Sequence, residues 1–253
     1  MFVTEDGQGG PVFLLLHGFS GSVRWFDAVT PLLAAHGRVL RVDLRGHGRT
    51  GGHTGLDASS QAAAILDVLD SLGIDEVTAV GHSYGADVAL ALGRRATKLV
   101  IIGQAPDYRD ATFPPGNGLL ATPVLGPLLH RFAPEGAVRR AVSYAFAPGF
   151  EFPPVLLRDH ATTSPAVARA VIVDRRRELA ERPLDRQVRE LGVPTLVILG
   201  RHDRFYPWAP AAARYRAAGA RVEIIDDAGH SPQIEQPAKI VDLVLSLHAN
   251  CSE

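Results

Sequence analysis

The sequence predicts an α/β fold in which a mostly parallel central sheet is flanked by helices and interrupted by a helical insertion. Three observations carry this. Six short apolar runs, rich in β-branched residues, stop at Gly or charged turns, as strands buried on both faces do. Helical patterns fill most of the gaps between them, which argues for parallel pairing. One stretch, residues 107–189, shows helical patterns and no strong strand.

The strands are expected at Val12–Leu16, Val39–Leu44, Val77–Val80, Leu99–Ile102, Thr195–Leu199 and Arg221–Ile225. Ser22–Ala35 carries Trp25, Phe26, Val29, Leu32 and Leu33 at helical spacing. Ser59–Leu72 follows, with Ser59 or Ser60 as its N-cap, and then Gly85–Arg95. Pro207–Ala218 and Pro237–Leu247 each carry Pro near the first turn. Inside the insertion, helices are expected at Ala137–Phe146, Val155–Ala161 and Pro165–Leu179. Residues 1–106 and 190–253 therefore read as the core, and residues 107–189 as a helical insertion between two of its strands.

Composition excludes several classes. With 46% hydrophobic and 21% charged residues, the chain has enough apolar mass to bury a core without staples. Its 26 basic and 27 acidic residues leave no excess to neutralise a phosphate backbone, so no nucleic-acid partner is expected. One cysteine, Cys251, permits no internal disulfide and no Cys-based zinc site. No metal spacing such as H-E-x-x-H occurs, and neither metal nor cofactor is expected. No apolar run approaches the ~20 residues of a membrane span, and the N-terminus lacks a secretory pattern. A soluble cytoplasmic protein is expected.

The chemistry is carried by Gly81-His82-Ser83-Tyr84-Gly85. The G-x-S-x-G pattern falls between a predicted strand and a predicted helix, where a serine can sit exposed on a strained turn. A serine hydroxyl is a poor nucleophile without a base, and the base needs an orienting carboxylate. Asp203 and His230 lie just past two later strands, so loops at one rim of the sheet collect all three. Asp107, Asp226 and Asp227 are rivals for the acid. His17 and His82 flank the site and read as packing or hydrogen-bonding partners, His47 reads as structural, and His202 should point away from Asp203. Gly46-His47-Gly48-Arg49-Thr50-Gly51 also spells a dinucleotide fingerprint, but it continues as a loop instead of opening a helix, which argues against nucleotide binding.

Together with His17-Gly18-Phe19, Asp43-Leu44-Arg45-Gly46-His47-Gly48, Gly200-Arg201-His202-Asp203 and Gly229-His230, the pattern resembles the α/β-hydrolase fold superfamily, serine-esterase-like with a helical cap. The resemblance implies a catalytic triad of Ser83, Asp203 and His230, with backbone N–H groups of Phe19 and Tyr84 as the oxyanion hole. It departs from the family at the amino end, where Phe2–Thr4 leaves a first strand missing or very short. The implied activity is hydrolysis of a carboxylic ester, lactone or thioester of a small to medium, largely apolar substrate through an acyl-Ser83 intermediate. A carbon–carbon bond hydrolase or lyase on the same triad, and a low-turnover ligand receptor, are the alternatives.

Overall fold

The computed structural model describes residues 1–114 and 116–249. Seven strands form one sheet: β1 (Phe2–Asp6), β2 (Val12–Leu16), β3 (Arg38–Asp43), β4 (Val77–His82), β5 (Ala96–Ile102), β6 (Thr195–Gly200) and β7 (Arg221–Ile225). Their order is β1-β3-β2-β4-β5-β6-β7. β1 runs antiparallel to β3, and the other neighbours are parallel.

Helices between these strands cover both faces: α1 (Thr30–Ala34), α2 (Ala58–Ser71), α3 (Tyr84–Ala91), α4 (Leu125–Arg131), α5 (Glu135–Ser143), α6 (Leu157–Thr162), α7 (Pro165–Arg169), α8 (Arg175–Glu181), α9 (Leu184–Leu191), α10 (Trp208–Ala217), α11 (Pro232–Glu235) and α12 (Pro237–Ala249). Successive strand residues alternate between two apolar layers. Leu14, Leu16, Leu99, Ile101, Val197 and Leu199 face the layer shared with α2, α3, α9 and α10. Phe13, Leu15, Val100, Ile102, Leu196 and Ile198 face the layer shared with α1 and α12. That period of two explains why the runs are apolar throughout: neither face meets water.

Four local expectations change. β1 is five residues long, not absent, because it pairs along the backbone ladder of β3, and its acidic end meets basic residues of that strand: Glu5 accepts from Arg38 at 2.5 and 3.0 Å, and Asp6 from Arg41 at 3.0 Å. The single helix expected over 22–35 is a 3₁₀ turn at Val23–Phe26 followed by α1. Pro31 has no N–H and would clash with a carbonyl one turn back, so a helix restarts there instead of passing through. The α2 cap is Asp57, whose carboxylate accepts from Ser60 N at 2.8 Å. The helix expected over 165–179 is split by a π turn at Ala170–Asp174.

Between β5 and β6 the described residues form only helices and turns. This insertion is fastened to the rest of the chain by buried polar contacts. Arg175, directly after the π turn, grips Asp87 of α3 in two hydrogen bonds of 2.7 and 2.5 Å, and also donates to Tyr108 Oη at 2.6 Å. Ser164 N donates to Gly46 O at 2.6 Å. Cys251 lies outside the described residues. Among the described residues no helix is long and apolar enough to cross a membrane.

Candidate active site

Ser83 lies between β4 and α3, at the N-cap of the helix. Its backbone sits at φ 51°, ψ −120°, a strained conformation for a residue with a side chain. Such strain persists only where surroundings enforce it, and here they do. A Cβ on Gly81 would lie 2.4 Å from Gly85 O, and one on Gly85 would lie 2.1 Å from Leu16 O. The turn can be this tight only with glycine on both sides. The serine side chain is left half-buried at the carboxyl rim of the sheet.

Asp203 follows β6 and His230 follows β7. His230 Nδ1 and Asp203 Oδ2 are 2.8 Å apart. The other carboxylate oxygen of Asp203 accepts from the backbone N–H groups of Phe205 at 2.7 Å and Tyr206 at 3.1 Å. Three bonds thus fix the carboxylate, and the carboxylate fixes the imidazole, leaving Nε2 on the side away from it. The structure therefore joins two of the three expected groups by a direct bond. The Ser83 hydroxyl has no hydrogen bond to His230 in this structure. Such bonds are often loose without substrate, and a serine hydroxyl moves by rotation about χ1 alone.

The rival acids are engaged elsewhere. Asp107 accepts from Arg214 at 2.8 Å and from Arg109 N at 2.9 Å. Asp226 is paired with Arg201 at 2.6 Å, and Asp227 is exposed. His202 is exposed.

The loop after β2 brings Phe19 beside the serine: a Cβ on Gly18 would lie 2.9 Å from Ser83 Cβ. Among the described residues, no hydrogen bond uses the backbone N–H of Phe19 or of Tyr84. Tyr84 opens α3, so its N–H is one of the donors a helix cannot use internally.

Buried histidines shape this rim. His17 accepts from Leu44 N through Nε2 at 3.0 Å, and its Nδ1 lies 2.8 Å from Gly18 O. Burial pushes its pKa down to about 4. Burial, and then neighbouring His17, push that of His47 down to about 3. His82 is also held well below the usual imidazole value by burial and by His230. Its Nε2 lies 3.0 Å from His230 O, which ties the neighbour of Ser83 to the loop that carries His230.

A stability prediction follows for His17 and His47. Both stay neutral in the folded chain at pH 5, while unfolded histidines near 6.5 take up protons. The unfolded state then binds more protons, so stability is complete above about pH 6.5 and declines as pH falls toward 4 and then 3. Each group should account for roughly 2 kcal/mol of loss by pH 5. Thermal unfolding at pH 7.5 and pH 5 reads this; an unchanged midpoint would contradict it.

Three supporting residues gave no sequence signal. Glu235, buried in α11, accepts from Gly229 N at 2.8 Å and from Ala147 N at 2.7 Å, joining the histidine loop to the insertion. Trp25 reads in sequence as one apolar residue of a helix. It stacks on His82 at 5.5 Å and on Phe146 at 5.9 Å. Asp159, in α6, is wholly buried and bonds to the loop carrying Trp25.

The surface near His230 is aromatic. Phe205 lies edge-on to the imidazole at 4.9 Å and touches Tyr144 and Phe113 at 5.2 and 5.8 Å. A cavity of about 500 Å³ is walled by Tyr84, His53, Arg169 and Glu178 among others, and neither this aromatic group nor Ser83, Asp203 or His230 takes part in its lining. Among the described residues, no group of three or more His, Cys, Asp or Glu is placed to hold a metal ion.

Comparison with known proteins finds relatives along most of the chain. An uncharacterized protein of Mycobacterium tuberculosis is 29% identical, over 93% of this chain and 74% of its own length. The 2-hydroxy-6-oxo-2,4-heptadienoate hydrolase of Pseudomonas putida is also 29% identical, over 95% of this chain and 89% of its own. An esterase from Exiguobacterium antarcticum superposes with a TM-score of 0.76 at 24% identity, covering 97% of this chain and 94% of that one. The model of the alpha/beta hydrolase family matches residues 13–243, and the chain belongs to that family.

Proposed function

We propose that the protein is a serine hydrolase that cleaves a carboxylic ester, lactone or thioester of a small to medium, largely apolar substrate through an acyl-Ser83 intermediate. The observation that carries this is the Asp203–His230 pair, bonded at 2.8 Å, beside a serine held at φ 51°. In the proposed cycle His230 Nε2 takes the Ser83 proton as Oγ attacks the carbonyl carbon. Asp203 holds the tautomer and stabilises the imidazolium. The Phe19 and Tyr84 amides receive the oxyanion, each worth about 3 kcal/mol of transition-state stabilisation. The tetrahedral adduct collapses, and His230 protonates the departing alcohol or thiol. Water then attacks the acyl carbon by the same route and releases the acid.

The aromatic group of Phe205, Phe113 and Tyr144 beside His230 supports the apolar substrate. The helical insertion, residues 107–189, is proposed to act as the cap above that surface. Cleavage of a carbon–carbon bond adjacent to a carbonyl is the second reading, favoured by the relative named as a 2-hydroxy-6-oxo-2,4-heptadienoate hydrolase.

Steady-state assay of p-nitrophenyl esters of graded acyl length, alongside lactones and a 2-hydroxy-6-oxo-dienoate, tests the reading. Turnover is expected to be best on the short to medium esters and lactones. Turnover of the dienoate alone would transfer the assignment to the second reading, and none on any member would overturn both.

A further inference from the structure

The loop that carries Phe19 is pinned from two sides. From the core, Asp43 accepts from Val23 N at 2.8 Å and from Arg49 N at 2.7 Å. From the insertion, Asp159 reaches across more than a hundred residues of sequence. Its Oδ2 accepts from Ser22 Oγ at 2.9 Å and from Trp25 Nε1 at 3.1 Å, and its Oδ1 accepts from Arg24 Nη1. Asp159 has no exposed surface. Burying a carboxylate this completely is costly unless every lone pair is used, so a short helix has no packing reason to place one here.

The bonds organise the loop in a definite way. Because Ser22 Oγ donates to Asp159, its lone pairs face Arg24 N, which it caps at 3.2 Å. That cap starts the 3₁₀ turn at Val23. The turn before it, closed by Gly21 N to Gly18 O at 3.1 Å, holds Phe19 between them. Trp25, fixed by its indole N–H, stacks on His82, and His82 bonds to the carbonyl of His230. One carboxylate therefore touches the supports of both the expected oxyanion donor and the expected base.

We propose that Asp159 is a positioning residue: seated in the insertion, it sets the orientation of the Gly18–Ser22 turn and the Trp25–His82 stack, so that the site is competent only when the insertion is docked. This rests on the serine-hydrolase reading above. It assigns the insertion a part in aligning the reacting groups as well as in covering them.

The test compares wild type with Asp159→Asn and Asp159→Ala at a temperature well below either midpoint of unfolding, with p-nitrophenyl acetate as substrate and diethyl p-nitrophenyl phosphate as covalent probe. Asn keeps one acceptor and the volume but loses the charge that holds Arg24. A small substrate reports alignment and not pocket contacts. Both variants should lose kcat, by roughly tenfold for Asn and a hundredfold for Ala, with KM changed less than threefold. These sit below the loss expected on deleting an oxyanion donor outright. The rate of phosphorylation at Ser83 should fall in parallel, and in a Trp208→Phe background the Trp25 emission should shift.

A merely structural Asp159 predicts a lower unfolding midpoint with kcat and labelling rate per folded molecule unchanged, and that result overturns the proposal. If wild type itself acquires no label at Ser83, the hydrolase reading has failed first, and the two failures are told apart by that control.

Discussion

Replacing Ser83 by alanine is expected to lower kcat by on the order of 10⁴–10⁶ while the protein stays folded. The magnitude follows from what the hydroxyl does. Without it no acyl-enzyme forms, and water must attack directly, helped only by the Phe19 and Tyr84 amides and by binding. Those residual aids give about 10³–10⁴ over the uncatalysed rate in hydrolases of this kind. Alanine can occupy the same backbone turn, since Gly81 and Gly85 supply the clearance and the Ser83 N–H keeps its 2.9 Å bond to Ile102 O. KM for a small ester should change little. Turnover within tenfold of wild type on p-nitrophenyl acetate would remove Ser83 from the chemistry.

The second large effect concerns stability. Arg175→Met should cost about 3–5 kcal/mol, because it leaves the Asp87 carboxylate buried without its partner. Arg175 and Asp87 are 3% and 6% exposed, so water cannot replace the lost bonds. Burial already pushes the Asp87 carboxyl up, and Arg175 opposes it. The midpoint of thermal unfolding should fall by roughly 6–20 °C for a chain of this size. Arg175→Met combined with Asp87→Leu should recover most of the loss, since a well-packed apolar pair often matches a buried ion pair. A loss below 1 kcal/mol in the single variant would show that the pair is not the main fastening between the insertion and α3.

Much of this architecture is legible in the sequence. Strands such as Val12–Leu16 and Thr195–Leu199 are apolar at every position because both faces are covered, and Gly-rich turns mark their ends. Ser83 is legible because the turn demands glycine at 81 and 85. The expectations fail where a partner distant in sequence decides the outcome. β1 extends to Asp6 along the backbone ladder of β3, with Arg38 and Arg41 arriving beside its acidic end. Asp57 caps α2 although two serines follow it, which local composition does not rank. Asp107 and Asp203 both follow strands, and only the folded chain shows that Asp107 is taken by Arg214 while Asp203 meets His230. Asp159 and Glu235 carry no periodicity or spacing signal at all. Their partners lie 137 residues away at Ser22 and 88 residues away at Ala147, and only the folded chain brings them together.

The central claim is that the imidazole at 230 activates the hydroxyl at 83. Peptide mass analysis after treatment with diethyl p-nitrophenyl phosphate tests it most directly, with His230→Gln and Asp203→Asn treated in parallel. A diethylphosphoryl adduct on Ser83, formed quickly in the wild type and at least a hundredfold more slowly in both variants, is the predicted result. An adduct on another residue, or labelling of Ser83 at the same rate in all three proteins, would contradict it.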